Sequence, residues 1–176
     1  AEWAIRLGSP VFHALISFML WLITKKLYGK GSANLSAVIW TTLPITSFGS
    51  LIISTDTPLL FFWCLSFYSL LKLFETKGHF WSLILGISLG LGFLTKYAIL
   101  FFIIGLILSI VDRRIFKEDL YKIFVSFIVF LIVISPNIHW NLVNNLSTVN
   151  HTVYNANLSN IDFNLFEMIR FIISQF

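Results

Sequence analysis

The composition of this chain excludes an ordinary soluble domain. Of its 176 residues, 57% are hydrophobic and 11% are charged, against roughly 45–50% and about 25% in soluble proteins. The apolar residues are spread over the whole length, which indicates several membrane-spanning segments in series. The net charge of +4 does not indicate nucleic-acid binding, because the basic residues lie between hydrophobic segments and form no basic patch.

The chain begins at Ala1 without an initiator methionine and stops at Phe176 within a hydrophobic run. We therefore expect residues 1–176 to be part of one larger membrane domain. The single cysteine, Cys64, excludes an internal disulfide and a cysteine-built metal site. His139 and His151 do not have a metal-ligand spacing, so we expect no metal site. The sequence identifies no cofactor and leaves a divalent-metal requirement open.

The basic residues predict which connections face the cytoplasm. Nine of the twelve fall in three short segments between apolar runs, namely Lys25, Lys26, Lys30, Lys72, Lys77, Arg113, Arg114, Lys117 and Lys122. By the positive-inside rule all three segments are cytoplasmic. Two segments on the same side of a membrane must be joined by an even number of crossings.

The first pair of crossings lies between Lys30 and Lys72. About forty mostly apolar residues separate them, enough for two crossings of about 20 residues each. The polar turn near their middle is Ser54–Pro58, which places Asp56 at the extracytoplasmic face. An acid at membrane depth indicates function, but a loop acid that caps a helix starting at Thr57 or Pro58 fits equally well.

The second pair lies between Lys77 and Arg113, where each crossing has only about 16 residues, or roughly 24 Å of helix. The hydrocarbon core is about 30 Å thick, so we expect short helices or a re-entrant hairpin. The midpoint, Leu94–Tyr97, places Lys96 on the same face as Asp56. There Lys96 either binds a phosphate or extends to the interface beside its aromatic neighbour Tyr97.

A further span is predicted from about Ile123 to Ser135 and ends before Pro136. It delivers a polar, asparagine-rich segment, residues 137–162, to the outer face, and a last span begins near Phe163. Amides beside aromatic rings suit sugar hydroxyls and sugar faces, but they also suit an irregular loop. The candidate sugar contacts are Asn137, Trp140, Asn141, His151 and Asn155. His13, within the first span, is interpreted as a packing residue.

Several motifs, in this order, resemble those of the bacterial family 39-like glycosyltransferases. These enzymes are relatives of the dolichyl-phosphate-mannose protein mannosyltransferases and of the lipid A aminoarabinose transferases. The matching segments are Thr55–Trp63, Gly90–Tyr97, Ser135–Asn141, His151–Thr152 and Asn155–Asn157. The resemblance covers essentially the whole chain.

The resemblance implies an all-α integral membrane bundle of the GT-C type, with six to seven spans here, some of them short. It implies a bacterial inner-membrane enzyme with a periplasmic active face. Its partners would be membrane lipid, a polyprenyl-phosphate-linked sugar donor, and a lipid, glycan or protein acceptor. The family's catalytic acid in the first outer loop would lie before Ala1. Asp56 matches the family's second acid. Lys96 matches a lysine of the family that is expected, together with Tyr97, to contact the donor phosphate. His151 matches a further position of the site.

Two other classes remain open from the residues. A secondary transporter places ionisable groups near the bilayer midplane, whereas the charge pattern places Asp56 and Lys96 at an edge. A non-catalytic membrane scaffold needs neither of these two charged residues. Measuring the membrane depth of Asp56 and Lys96 would distinguish a transporter from a glycosyltransferase. Measuring sugar transfer by alanine variants of these residues would distinguish a scaffold from a glycosyltransferase.

Overall fold

The computed structural model describes residues 7–112, 117–155 and 165–174. Within these ranges the regular structure is entirely helical. The α-helices are α1 Gly8–Tyr28, α2 Lys30–Thr42, α3 Pro44–Gly49, α4 Asp56–Leu73, α5 Phe80–Thr95, α6 Leu100–Asp112, α7 Lys117–Val143, α8 Ser147–Asn155 and α9 Leu165–Ile173, with a 3-10 turn at Tyr97–Ile99. The chain divides into two compact units, Ala1–Ser135 and Pro136–Phe176.

The helices have the apolar character expected of a membrane bundle. By length and composition, Gly8–Tyr28 and Asp119–Val143 are long enough to cross a membrane, and Phe80–Thr95 and Tyr97–Ser109 are shorter apolar helices. Large apolar side chains face outward, for example Phe101, which is 71% exposed. Such exposure is unfavourable in water and ordinary against lipid. The all-helical class agrees with the predicted fold, and the number of spans stays a prediction.

Small residues allow α4, α5 and α7 of the first unit to pack closely. Ser66 on α4 and Ser88 on α5 are both fully buried, and their hydroxyl groups hydrogen bond at 2.8 Å. On α5, a Cβ atom at Gly86 would lie 2.4 Å from the backbone oxygen of Ser126, and one at Gly90 would lie 2.6 Å from Val133. These glycines therefore form the contact with α7, as small residues do between membrane helices.

We expect Gly86→Ala to destabilise the protein and Gly105→Ala not to. Nothing lies within 4 Å of a Cβ at Gly105, so alanine there gains up to about 1 kcal/mol of helix propensity. The same change at Gly86 forces α5 and α7 apart, which costs about 1–3 kcal/mol. Thermal unfolding of the detergent-solubilised full-length protein measures both. Equal shifts in the midpoint would contradict the close helix contact.

Two lysine side chains connect helices at one end of the first unit. At the end of α4, the Lys122 ammonium donates to the backbone oxygens of Leu73, at 3.2 Å, and Thr76, at 3.1 Å. Nearby, Lys26 at the end of α1 pairs with Glu75. The hydrogen bond from Lys26 holds the pKa of Glu75 below its ordinary value. These groups form the basic end of the unit.

The placement of Lys122 corrects the sequence interpretation, which assigned it to a cytoplasmic loop. It lies inside α7 and is only 9% exposed. Its buried charge is compensated by Asp119 at 3.0 Å and by the carbonyl groups at the C-terminal end of α4, where a cation is favoured. Lys122 therefore joins two helices.

The expectation that the helix ends before Pro136 is wrong, because α7 continues through Pro136 to Val143. Proline leaves the carbonyl group four residues earlier, that of Ile132, without its helical donor. The hydroxyl group of Ser135 donates to this oxygen at 2.8 Å. A serine hydroxyl in this position allows a proline inside an apolar helix.

Candidate functional site

Asp56 lies at the first residue of α4, at the end of the first unit opposite Lys122. Its backbone NH donates to the Ser54 hydroxyl at 3.1 Å, and that hydroxyl donates to Asp56 Oδ2 at 3.1 Å. This local turn fixes the carboxylate at a helix N-terminus, where the helix dipole favours a negative charge. The predicted cap of a helix starting at Thr57 or Pro58 is wrong, because the helix begins at Asp56 itself and no side-chain capping hydrogen bond is made there.

Lys96 lies at the break that follows α5. Its backbone is extended, with φ −161° and ψ 133°, and its NH donates to the Gly92 oxygen. The Thr95 hydroxyl also donates to Gly92 O, at 2.7 Å. The side chain of Ile99 lies 3.1 Å from where a Cβ of Gly92 would be, so glycine lets the chain fold back closely. The break falls where the charge pattern predicted the turn.

Asp56 and Lys96 are in direct contact, although 40 residues separate them in the sequence. The Lys96 ammonium donates to Asp56 Oδ1 at 2.5 Å. Their side chains are 56% and 46% exposed, so water screens the pair and its stabilising contribution is small, about 0–1 kcal/mol. An exposed pair of this kind can exchange partners when a charged ligand arrives.

Tyr97 begins the 3-10 turn directly after Lys96. Its ring packs against Phe93, with the ring centroids 4.7 Å apart, and it is half-buried. This packing fixes the direction of the chain next to Lys96. A contact between Tyr97 and phosphate stays a prediction.

A cavity of about 510 Å³ lies beside Asp56 in the first unit. Its lining combines two aromatic side chains, apolar side chains and several hydroxyl groups. The lining includes His13, Trp40, Leu43, Thr46, Ser54, Asp56, Thr57 and Leu60. Lys96 contacts Asp56 but does not line this cavity. The volume is within the range of small-molecule sites, about 300–1,000 Å³.

The predicted sugar-contacting residues belong to the second unit and are largely helical. Asn137, Trp140 and Asn141 lie in the last turns of α7, and His151 and Asn155 lie in α8. The expectation of an irregular polar loop from residue 137 is therefore wrong for these positions. The helix persists because Ser135 compensates for Pro136, and because asparagine side chains bond within the helices.

Asn141 illustrates this local bonding. It is 6% exposed. Its amide NH₂ donates to the Asn137 backbone oxygen at 3.0 Å, and its oxygen accepts from the Thr148 NH at 3.2 Å. The second contact satisfies one of the first NH groups of α8. Asn141 therefore connects the end of α7 to the start of α8, while Trp140 and His151 are exposed. Contacts between these residues and a sugar stay predictions.

Within the described ranges, no group of three or more His, Cys, Asp or Glu side chains could hold a metal ion. This observation does not test whether the protein requires a divalent metal ion. The candidate site of the first unit therefore consists of the Asp56–Lys96 pair and the neighbouring cavity.

Comparison with known proteins identifies similar sequences. A family model described as dolichyl-phosphate-mannose-protein mannosyltransferase matches residues 1–140. The lipid A galacturonosyltransferase RgtD of Rhizobium johnstonii is 32% identical over 175 residues, which are 98% of this chain and 36% of that protein. The chain thus spans about a third of the length of this curated relative. No solved structure matches.

Proposed function

Because the chain belongs to the dolichyl-phosphate-mannose-protein mannosyltransferase family, we propose that the full-length protein is a membrane glycosyltransferase using a polyprenyl-phosphate-linked sugar. The acceptor is a lipid, glycan or protein, and the reaction takes place at the periplasmic face of the bacterial inner membrane. The observation that supports this most is the contact between Asp56 and Lys96 at the end of the unit opposite the basic residues.

The proposed reaction is direct displacement at the anomeric carbon. An acceptor oxygen forms the new bond to this carbon, and the bond to the phosphate oxygen breaks. The electron pair leaves with the polyprenyl phosphate, and the acceptor proton passes to a carboxylate acting as general base. Negative charge therefore builds up on the phosphate in the transition state.

Lys96 is suited to stabilise that charge. Its ammonium is held at a fixed point by the break after α5 and by its contact with Asp56. A donor phosphate that approaches Lys96 competes for the ammonium and leaves the Asp56 carboxylate available to the acceptor. A cation placed where charge develops is a preorganised electrostatic contribution to catalysis. Tyr97 would flank the phosphate.

Asp56 is proposed to orient or deprotonate the acceptor, or to support a further acid. It lies at one wall of the cavity, so a saccharide held there would be next to the carboxylate. Asn137, Trp140, Asn141, His151 and Asn155 are proposed to contribute to sugar binding. The relative's name makes galacturonic acid on a polyprenyl phosphate the first donor to test and lipid A the first acceptor.

The proposed face is testable by thiol labelling. We expect Ser54→Cys, in a Cys64→Ser background, to react with an impermeant maleimide added to intact spheroplasts, since Ser54 is beside Asp56. Lys77→Cys, an exposed position in the connection after α4, is expected to react only after lysis. Labelling at both positions with the same sidedness would contradict the topology. Protection of Ser54→Cys in both preparations would favour the deep ionisable site of a transporter.

A further inference from the structure

His13 has a feature that packing alone does not explain. Neither of its ring nitrogens has a hydrogen-bond partner among the described residues, and both are buried. A buried polar atom without a partner costs about 1–3 kcal/mol, and each such atom calls for an explanation. A phenylalanine would fill the same space without this cost.

The surroundings of His13 connect it to Asp56. His13 lies in the second turn of α1, and its ring stacks on Trp40 with 5.8 Å between the ring centroids. His13 and Trp40 line the cavity beside Asp56 and also a neighbouring cavity of about 280 Å³. The Trp40 indole NH donates to the backbone oxygen of His13 at 3.2 Å. This bond joins α1 and α2 at the wall of the cavity.

The ring can present a nitrogen to the cavity at low cost. The χ2 torsion of histidine is broad and roughly two-fold, so a half-turn exchanges ring carbons and nitrogens while the ring plane stays on Trp40. A Cβ added at Gly49 would lie 3.7 Å from Nε2 and 3.8 Å from Cε1 of His13. Gly49 therefore packs beside this edge of the imidazole without crowding it.

We propose that His13 is a saccharide-binding residue that hydrogen bonds a hydroxyl group of the sugar ring held next to Asp56. The inference rests on the proposed function and extends it to a specific residue. The cavity offers what a sugar requires: an aromatic wall, hydroxyl groups at Thr46 and Ser54, and a carboxylate at Asp56. Neutral imidazole both donates and accepts, which matches the hydroxyl groups of a sugar. The sugar belongs either to the donor or to the acceptor.

The test compares His13→Phe with His13→Gln in the full-length protein. Phenylalanine keeps a flat ring on Trp40 and removes both nitrogens, whereas glutamine restores hydrogen bonding. KM is measured separately for polyprenyl-phosphate-linked galacturonic acid and for lipid A. Binding of each is also followed without turnover, by the ligand-dependent shift in the unfolding midpoint. His79→Phe is the matched control, because His79 packs on Tyr121 at the basic end.

We expect His13→Phe to raise one of the two KM values by up to about 10-fold, as the loss of one hydrogen bond implies. His13→Gln should recover part of this loss. Without ligand, the unfolding midpoint of His13→Phe should be unchanged or higher, since the unpartnered nitrogens are gone. An increase in the donor KM assigns the cavity to the transferred sugar, and an increase in the acceptor KM assigns it to the acceptor.

Unchanged KM values and unchanged binding in His13→Phe would overturn the inference, as would a loss confined to kcat. A wild-type protein that binds these substrates but transfers no sugar from polyprenyl-phosphate-linked galacturonic acid, mannose or aminoarabinose would overturn the proposed function. The binding measurements would still decide the role of His13. A wild-type protein that binds lipid A and none of the polyprenyl-phosphate-linked donors of galacturonic acid, mannose and aminoarabinose, or that binds no substrate at all, would overturn both.

Discussion

In the full-length protein, Lys96→Ala is expected to lower the turnover of sugar transfer by a factor of about 10²–10³, the cost of removing one donor from a site of developing negative charge. The Lys96 ammonium lies on an exposed pair, so its loss removes little folding free energy, about 0–1 kcal/mol. Lys96→Arg should recover part of the activity, because the charge is kept while the geometry changes. The measurement is transfer of labelled sugar, normalised to folded protein.

Lys77→Ala is the control for this variant. Lys77 is an exposed base in the connection after α4, at the basic end of the unit, and its removal should leave transfer unchanged. Full activity in Lys96→Ala would make Lys96 an interfacial lysine and leave Asp56 and the cavity as the basis for catalysis.

Asp56→Asn is expected to lower turnover by about 10² or more, as loss of a general base or of its support does. Asparagine keeps the shape and can still bond Ser54, so folding should be largely preserved. Glu75→Gln is the matched control, because Glu75 is also an exposed acid paired with a lysine that is distant in the sequence. Equal activity of Asp56→Asn and Glu75→Gln would show that Asp56 has only a structural role at the start of α4.

Exchanging the two charged residues tests whether the Asp56–Lys96 ion pair only holds helices together or also takes part in the reaction. The double variant Asp56→Lys with Lys96→Asp keeps the opposite charges that connect α4 to the end of α5. Thermal stability should fall only by the cost of placing each charge at the unfavourable end of a helix dipole, about 0.3–1 kcal/mol for each charge. Transfer should stay low, because the ammonium and the carboxylate have changed places relative to the donor phosphate. Recovery of transfer would mean that only the attraction between the helices matters.

Charge and length predicted the part of the fold that positions Lys96. Two basic segments with too few residues between them for two full crossings required a turn near Lys96, and α5 ends one residue before it. The same reasoning placed Asp56 and Lys96 on one face. Their direct contact did not follow from it, because the contact depends on how closely Gly92 lets the chain approach Ile99 and Phe62.

The structure at other positions could not be predicted, because it depends on contacts with residues distant in the sequence or on a single hydroxyl group. Pro136 was expected to end a helix, but one hydrogen bond from Ser135 compensates the freed carbonyl. Lys122 was interpreted as a base in a loop, because the sequence does not show that packing places its partners, Leu73 and Thr76, next to it. His13 gave no signal either, since a histidine in an apolar run carries no information on whether its nitrogens find partners.

The most direct test of the proposed function is to measure sugar transfer by the purified full-length protein from polyprenyl-phosphate-linked galacturonic acid to lipid A. We expect labelled lipid A and free polyprenyl phosphate in equal amounts, with both products falling together in Lys96→Ala. Product formation by the wild-type protein that is equal in Lys96→Ala and in Asp56→Asn would contradict the proposed site. Absence of transfer from polyprenyl-phosphate-linked galacturonic acid, mannose and aminoarabinose alike, by folded wild-type protein that holds its native topology, would contradict the proposed function.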